Sequence, residues 1–187
     1  MPTYEDALKL FHEWVQSENL RRHGYAVEAA MAHYARHFGA DEMLWRMTGL
    51  LHDLDYERHP TPEEHPYVAV RVLGELGYPE VMLEAILGHA DYTGTPRQTL
   101  LAKTLFAVDE LSGFLVAVAY VRPTRLEGLT VSSVRKKLKD KAFAAAVSRE
   151  DIYRGAEALG LPLDEHIAHV IAGLQAEAKR LGLHPAR

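Results

Sequence analysis

Four residues spread along the chain have the types and spacing to hold one divalent cation: His23, the adjacent pair His52 and Asp53, and Asp109. The pair ends an apolar run in the stretch GLLHDLDYERH, residues 49–59, which also carries Asp55 and Glu57. His23 falls on an apolar stripe with Val27, Ala30, Met31, Tyr34 and Phe38 at three- and four-residue steps, and Asp109 lies among Leu101, Leu105 and Val108. An unpaired charge on an inward helix face is expensive, and one cation would satisfy all four groups. Successive helical residues point about 100° apart, so a cation above the edge between His52 and Asp53 stays within reach of both. Two imidazoles and two carboxylates suit Mn, Fe, Zn, Co or Ni better than Ca. The competing reading makes each residue a hydrogen-bonded polar group in the core or at a helix end. The H…HD…D order at inward positions favours ligands.

Helices must position these groups, because the hydrophobic periodicity is helical nearly everywhere and no alternating strand pattern persists. The spacing predicts helices over 4–16, 20–38, a third one after Asp41, then 63–76, 79–89, 97–120, 131–146, 149–159 and 163–182. Gly39 stops the second helix and Asp41 caps the next. RHPTPEEHP, DYTGTP and VRPTRLEGLT read as loops. With no internal repeat or low-complexity linker, the expectation is a single all-α domain over 1–187.

Composition narrows the chemistry. The chain has 187 residues, 48% hydrophobic and 25% charged, as expected of an ordinary globular protein long enough to bury a substantial core. A net charge of -5 argues against general nucleic-acid binding. With no cysteine, disulfides, thiolate-held zinc and iron–sulfur sites are excluded, whereas eleven histidines supply metal ligands generously. The N-terminus is acidic and amphipathic, unlike a signal peptide, and no run approaches a membrane span, so a cytoplasmic location without membrane attachment is expected. A homo-oligomer is left open. Scarce Asn and Gln with Arg-rich basic content hint at a heat-adapted source.

His23, His52-Asp53 and Asp109, in the contexts LLHDLDYE and FAVDELSG, resemble the HD-domain superfamily of metal-dependent phosphohydrolases. The resemblance covers about 20–120, leaving 121–187 as a C-terminal helical extension. It implies a helical bundle, with a His, an adjacent His-Asp pair and a distant Asp from separate helices holding one divalent transition metal. It further implies hydrolysis of a small phosphate ester or nucleotide by metal-activated water. In binuclear members, extra histidines between the HD pair and the last Asp hold a second metal. His65 and His89 fit that order, with phosphate contact or helix capping as alternatives. Asp55 and Glu57 follow the pair closely enough to orient water or shuttle a proton, or else serve as loop caps.

The basic run VRKKLKDKAF, with Lys136 and Lys137, is either a solvated helix face or, with Arg122 and Arg125, a phosphate-gripping wall. His166 and His169, in DEHIAH, read as surface residues. Gly77-Tyr78-Pro79 reads as a helix-breaking turn, although the tripeptide names a cyclic-dinucleotide phosphodiesterase branch of the superfamily. Two rival functions remain: a di-iron oxygenase of the same superfamily, using an H…HD…H…H…D set, and a non-catalytic sensor of a nucleotide or partner.

Overall fold

Short polar side chains begin most of the helices. In the computed structural model, which describes residues 1–186, the side chains of Thr3, Ser17, Asp41, Thr99, Thr130 and Ser148 each accept a hydrogen bond from the amide three residues on. Each such cap contributes about 1 kcal/mol. The helices are α1 (Tyr4–Trp14), α2 (Glu18–Phe38), α3 (Glu42–Leu51), α4 (Tyr67–Glu75), α5 (Glu80–Gly88), α6 (Leu100–Tyr120), α7 (Val131–Lys139), α8 (Arg149–Ala158), α9 (Leu163–Ala176) and α10 (Ala178–Leu181). A 3-10 turn spans Asp91–Thr93, and the described residues contain no strand. The fold is the expected all-α bundle.

The two long helices, α2 and α6, pack against each other at the centre. Helices α3 and α9 flank α2, while α5 and α8 flank α6. Their inward faces merge in one apolar cluster running from Ala7 to Leu183, in which Met31, Tyr34, Leu51, Leu105 and Phe114 are fully buried. The C-terminal helices therefore complete the same core that α2 and α6 begin. No helix among the described residues is long and apolar enough to cross a membrane.

Two packing details bear on the site. Gly49 sits where α3 crosses α2, and a Cβ there would lie 2.9 Å from the Cα of Glu28. The missing side chain lets the backbones touch, which brings the end of α3 beside His23. Nearby, the buried carboxylate of Glu28 accepts from the Tyr4 hydroxyl at 2.7 Å, Arg46 Nη1 at 2.8 Å and Arg180 Nη1 at 2.7 Å. A buried charge is tolerated when it is paired in this way, and here the pairing ties α1, α2, α3 and α10 together.

Several boundaries differ from the periodicity. Helix α6 begins at Leu100 because Thr99 caps it. Instead of running to 146, α7 stops at Lys139, and Ala144 adopts a left-handed φ of 46°. The Arg149 guanidinium supplies the reason, donating to the carbonyls of Asp140, Phe143, Ala144 and Val147 and so holding that segment as a turn. The stretch 163–182 divides at Glu177 into α9 and α10. His65 precedes α4 and does not begin it.

Candidate metal centre

Each candidate ligand reaches the centre from a different element. His23 projects from α2, His52 is the C-cap of α3, Asp53 follows it in the turn, and Asp109 comes from α6. His23 Nε2 lies 2.9 Å and His52 Nε2 3.1 Å from Asp109 Oδ1. Asp53 Oδ2 stands 3.3 Å from His52 Nε2 and 3.7 Å from His23 Nε2. These four groups each offer a ligand atom within 4.8 Å of the others and could hold a metal ion.

A second group shares one member with the first. Asp53 Oδ1 lies 3.2 Å from His89 Nε2 and 3.4 Å from His65 Nε2, and these three could also hold an ion. His89 is the C-cap of α5, and His65 is carried by the loop before α4. The two oxygens of one carboxylate thus face two sets of imidazoles.

The hydrogen bonds behind the rings decide which nitrogen faces inward. His52 Nδ1 donates to the Gly49 carbonyl at 2.7 Å and His89 Nδ1 to the Ile86 carbonyl at 2.5 Å. Because a carbonyl only accepts, Nδ1 carries a proton, which leaves Nε2 of each ring as the nitrogen that faces the carboxylates and could bind a cation. His65 Nδ1 is 2.6 Å from Asp55 Oδ1, and Asp55 Oδ2 accepts from the Ala69 amide at 2.8 Å. Such outer partners fix ring orientation and raise the basicity of a ligating imidazole. This donor chemistry fits a divalent transition ion.

The electrostatics agree. Burial alone would lower the His52 pKa, but the carboxylates of Asp53 and Asp109 outweigh it and hold the pKa well above the ordinary value. His89 is raised in the same way, chiefly by Asp53. Burial would raise Asp53 and Asp109, yet the neighbouring imidazoles keep both carboxyls well below the usual range. A field that favours protons on clustered imidazoles also favours a metal cation in their place.

These groups open into a cavity of about 290 Å³, also lined by Tyr56, Tyr92, Glu110 and Gly113. Tyr56 and Tyr92 are exposed at its rim. Burial, and then the adjacent Asp109 carboxylate, push the Glu110 pKa up. Tyr56, Tyr92 and Glu110 escaped the sequence reading, since a loop tyrosine and an acid within a helix carry no spacing signal. Only their adjacency to Asp55, Asp91 and Asp109 marks them.

Other predicted site residues lie elsewhere. Asp55 is fully buried behind His65 and does not line the cavity, so it orients an imidazole and is not placed to meet a substrate. Glu57 is exposed and accepts from the amides of Gln16 and Ser17 at 2.8 Å each, tying the α1–α2 turn. Arg122 and Arg125 also leave the cavity, because their guanidiniums are taken up by carbonyls of their own loop. Lys136 and Lys137 sit on the outer face of α7, with the Lys137 ammonium 4.8 Å from the Phe143 ring centre. The cavity lining contains no lysine or arginine. His166 corrects the expectation of a surface residue. It is fully buried, with Nδ1 2.6 Å from the Tyr34 hydroxyl and Nε2 2.8 Å from the Ala107 carbonyl.

No curated protein and no solved structure matches the chain. The HD domain profile matches residues 20–113, a span that begins just before His23, ends just after Asp109 and covers half of the chain. The chain belongs to the HD domain family.

Proposed function

We propose that the protein is a metal-dependent phosphohydrolase that cleaves a small phosphate ester or a nucleotide. One observation carries the reading: Asp53 presents Oδ2 to His52 and Oδ1 to His89, at 3.3 and 3.2 Å. His23, His52, Asp53 and Asp109 would hold one divalent ion, and Asp53, His65 and His89 a second. Bound there, such ions supply an activated water at neutral pH and neutralise charge on phosphoryl oxygens. Hydrolysis then joins the oxygen of water to phosphorus, breaks the phosphorus–ester oxygen bond and returns a proton to the departing alcohol.

The chain's residues set the conditions for that chemistry. Asp53, Asp109 and Glu110 put three carboxyl groups on the cavity wall, and no lysine or arginine lines it. Those carboxyl groups would repel a phosphate unless cations held by them offset the local field. Tyr56 and Tyr92 give the rim two exposed aromatic faces, suited to stacking on a base or other flat leaving group. His65 and His52, held from behind by Asp55 and the Gly49 carbonyl, keep the ligand geometry rigid.

The same ligand set also suits a di-iron oxygenase, because Asp53 is shared by the two ligand groups. Reconstitution separates the two readings. The purified chain is loaded with Mn, Co, Ni, Zn or Fe(II) and assayed for phosphate release from nucleotides and phosphate monoesters, with oxygen uptake followed in parallel. Metal-dependent phosphate release supports the proposal. Oxygen uptake confined to the two-iron form, with no phosphate released, would transfer the assignment to the oxygenase.

A further inference from the structure

A second group of histidines lies apart from the cavity, where α9 crosses α2. His33 and His37 are one turn apart on α2, and Glu165 and His169 are one turn apart on α9. Residues four apart share a helix face, so each helix presents a pair of potential ligands. Gly173, one turn beyond His169, permits the crossing. A Cβ there would stand 3.0 Å from the His33 Cβ and 3.1 Å from the Ala29 carbonyl oxygen. The close approach brings His33 Nε2 to 2.9 Å from His169 Nδ1 and the His37 and His169 ring centres to 4.4 Å.

We propose that His33, His37 and His169 form a separate site for zinc or another late first-row divalent cation, clamping α9 onto α2, with Glu165 as an available fourth ligand. Zinc–imidazole bonds of about 2.0–2.1 Å at tetrahedral or octahedral angles separate ligand nitrogens by roughly 3.0–3.4 Å, and the 2.9 Å between His33 Nε2 and His169 Nδ1 is close to that spacing. Three imidazoles and one carboxylate belong to the borderline donor set such ions prefer. The rings are also available as ligands. Burial, and then the charge of neighbouring groups, lower the pKa of both His33 and His169, which favours the unprotonated rings that bind a metal. His37 is exposed, with its ring centre 4.4 Å from that of His169, and would turn to bring a nitrogen to the His33–His169 pair. His166 is not part of the site, because Tyr34 and the Ala107 carbonyl occupy both of its nitrogens. Since His33 and His37 lie within the matched family segment and α9 beyond it, the clamp would pin the C-terminal helices to the family core.

The site does not depend on the reading of the cavity, and its test silences the cavity first. The 187-residue chain carrying Asp53→Ala and Asp109→Ala is titrated with Zn²⁺ by calorimetry and with Co²⁺ by visible absorption. The expected result is one bound equivalent and a rise in melting temperature. Adding either His37→Ala or His169→Ala should weaken binding by about tenfold or more, as loss of one ligand of a small site implies. No binding in the parent chain, or binding indifferent to both histidine changes, overturns the proposal. Should the parent not fold, His37→Ala in the otherwise unaltered chain gives the same decision, because this residue is exposed. Zinc content should then fall by one ion per chain, and unchanged content rejects the site.

Discussion

Asp55 Oδ1 lies 2.6 Å from His65 Nδ1, and this contact aims His65 Nε2 at Asp53. Asp55 is thus a positioning residue for the second ligand group. Asp55→Ala should weaken binding of the second metal by about 10–100-fold, the usual effect of losing an outer partner. It should also cost about 1–3 kcal/mol of stability, since the Ala69 amide and the His65 ring lose a buried acceptor. Asp55→Asn, which keeps one acceptor oxygen, should retain more of both. Metal titration with urea denaturation checks this, and a fully active, fully loaded Asp55→Ala protein would contradict it.

Metal removal should destabilise the fold, because only the folded chain assembles ligands from α2, the α3 end, the α4 and α5 termini and α6. At a free-metal concentration about a hundredfold above Kd, binding contributes about 2.7 kcal/mol. For a chain of this size, that is a melting shift of roughly 5–10 °C on adding chelator. In Asp109→Ala the chelator effect should shrink, and scanning calorimetry on both proteins compares them directly.

Buried His166 makes stability depend on pH. Burial lowers its pKa to about 4, against 6.5 for the free side chain. Between these values the unfolded chain takes up a proton that the folded chain refuses. The His166 contribution is therefore fully present above about pH 6.5 and is lost as pH falls toward 4. The full effect is of the order of 3 kcal/mol. His166→Leu should be less stable at pH 7, because the Tyr34 hydroxyl loses its partner, yet should show a shallower loss between pH 6.5 and 4. Parallel slopes in urea titrations of the two proteins would refute this.

Residues outside the cavity should leave catalysis alone. Lys136→Ala with Lys137→Ala should change KM by less than about twofold, since neither side chain meets the substrate and such contacts act mainly on ground-state binding. Glu57→Ala should lower stability by about 1 kcal/mol or less through the freed Gln16 and Ser17 amides, with kcat unchanged. A large rise in KM in the lysine variant would show that α7 reaches the substrate after all.

What could be read from the residues alone follows from the range of the forces involved. Helix periodicity and N-caps are local, so the all-α class and the Asp41 cap of α3 were legible, while the Ser17 cap that starts α2 two residues before the expected 20 was not. The inward placement of His23, His52 and Asp109 follows from the same periodicity. The end of α7 was not legible, because Arg149, ten residues on, supplies the donors that stop it. Nor was the burial of His166, whose partners Tyr34 and Ala107 lie on other helices. The basic residues misled for a related reason. Charge concentrated in sequence says nothing of which face a helix turns to the cavity, and Arg122 and Arg125 spend their donors on their own loop.

The central claim is that the Asp53 carboxylate serves both ligand groups, with Oδ2 toward His52 and Oδ1 toward His89. Its most direct test is the metal content of Asp53→Ala, measured by plasma emission after loading and desalting, beside that of the unaltered chain and His89→Ala. The cavity should lose both of its ions in Asp53→Ala and only one in His89→Ala, with phosphate release abolished in the former. An Asp53→Ala protein that keeps its cavity metal, or loses no more than His89→Ala does, would contradict the account.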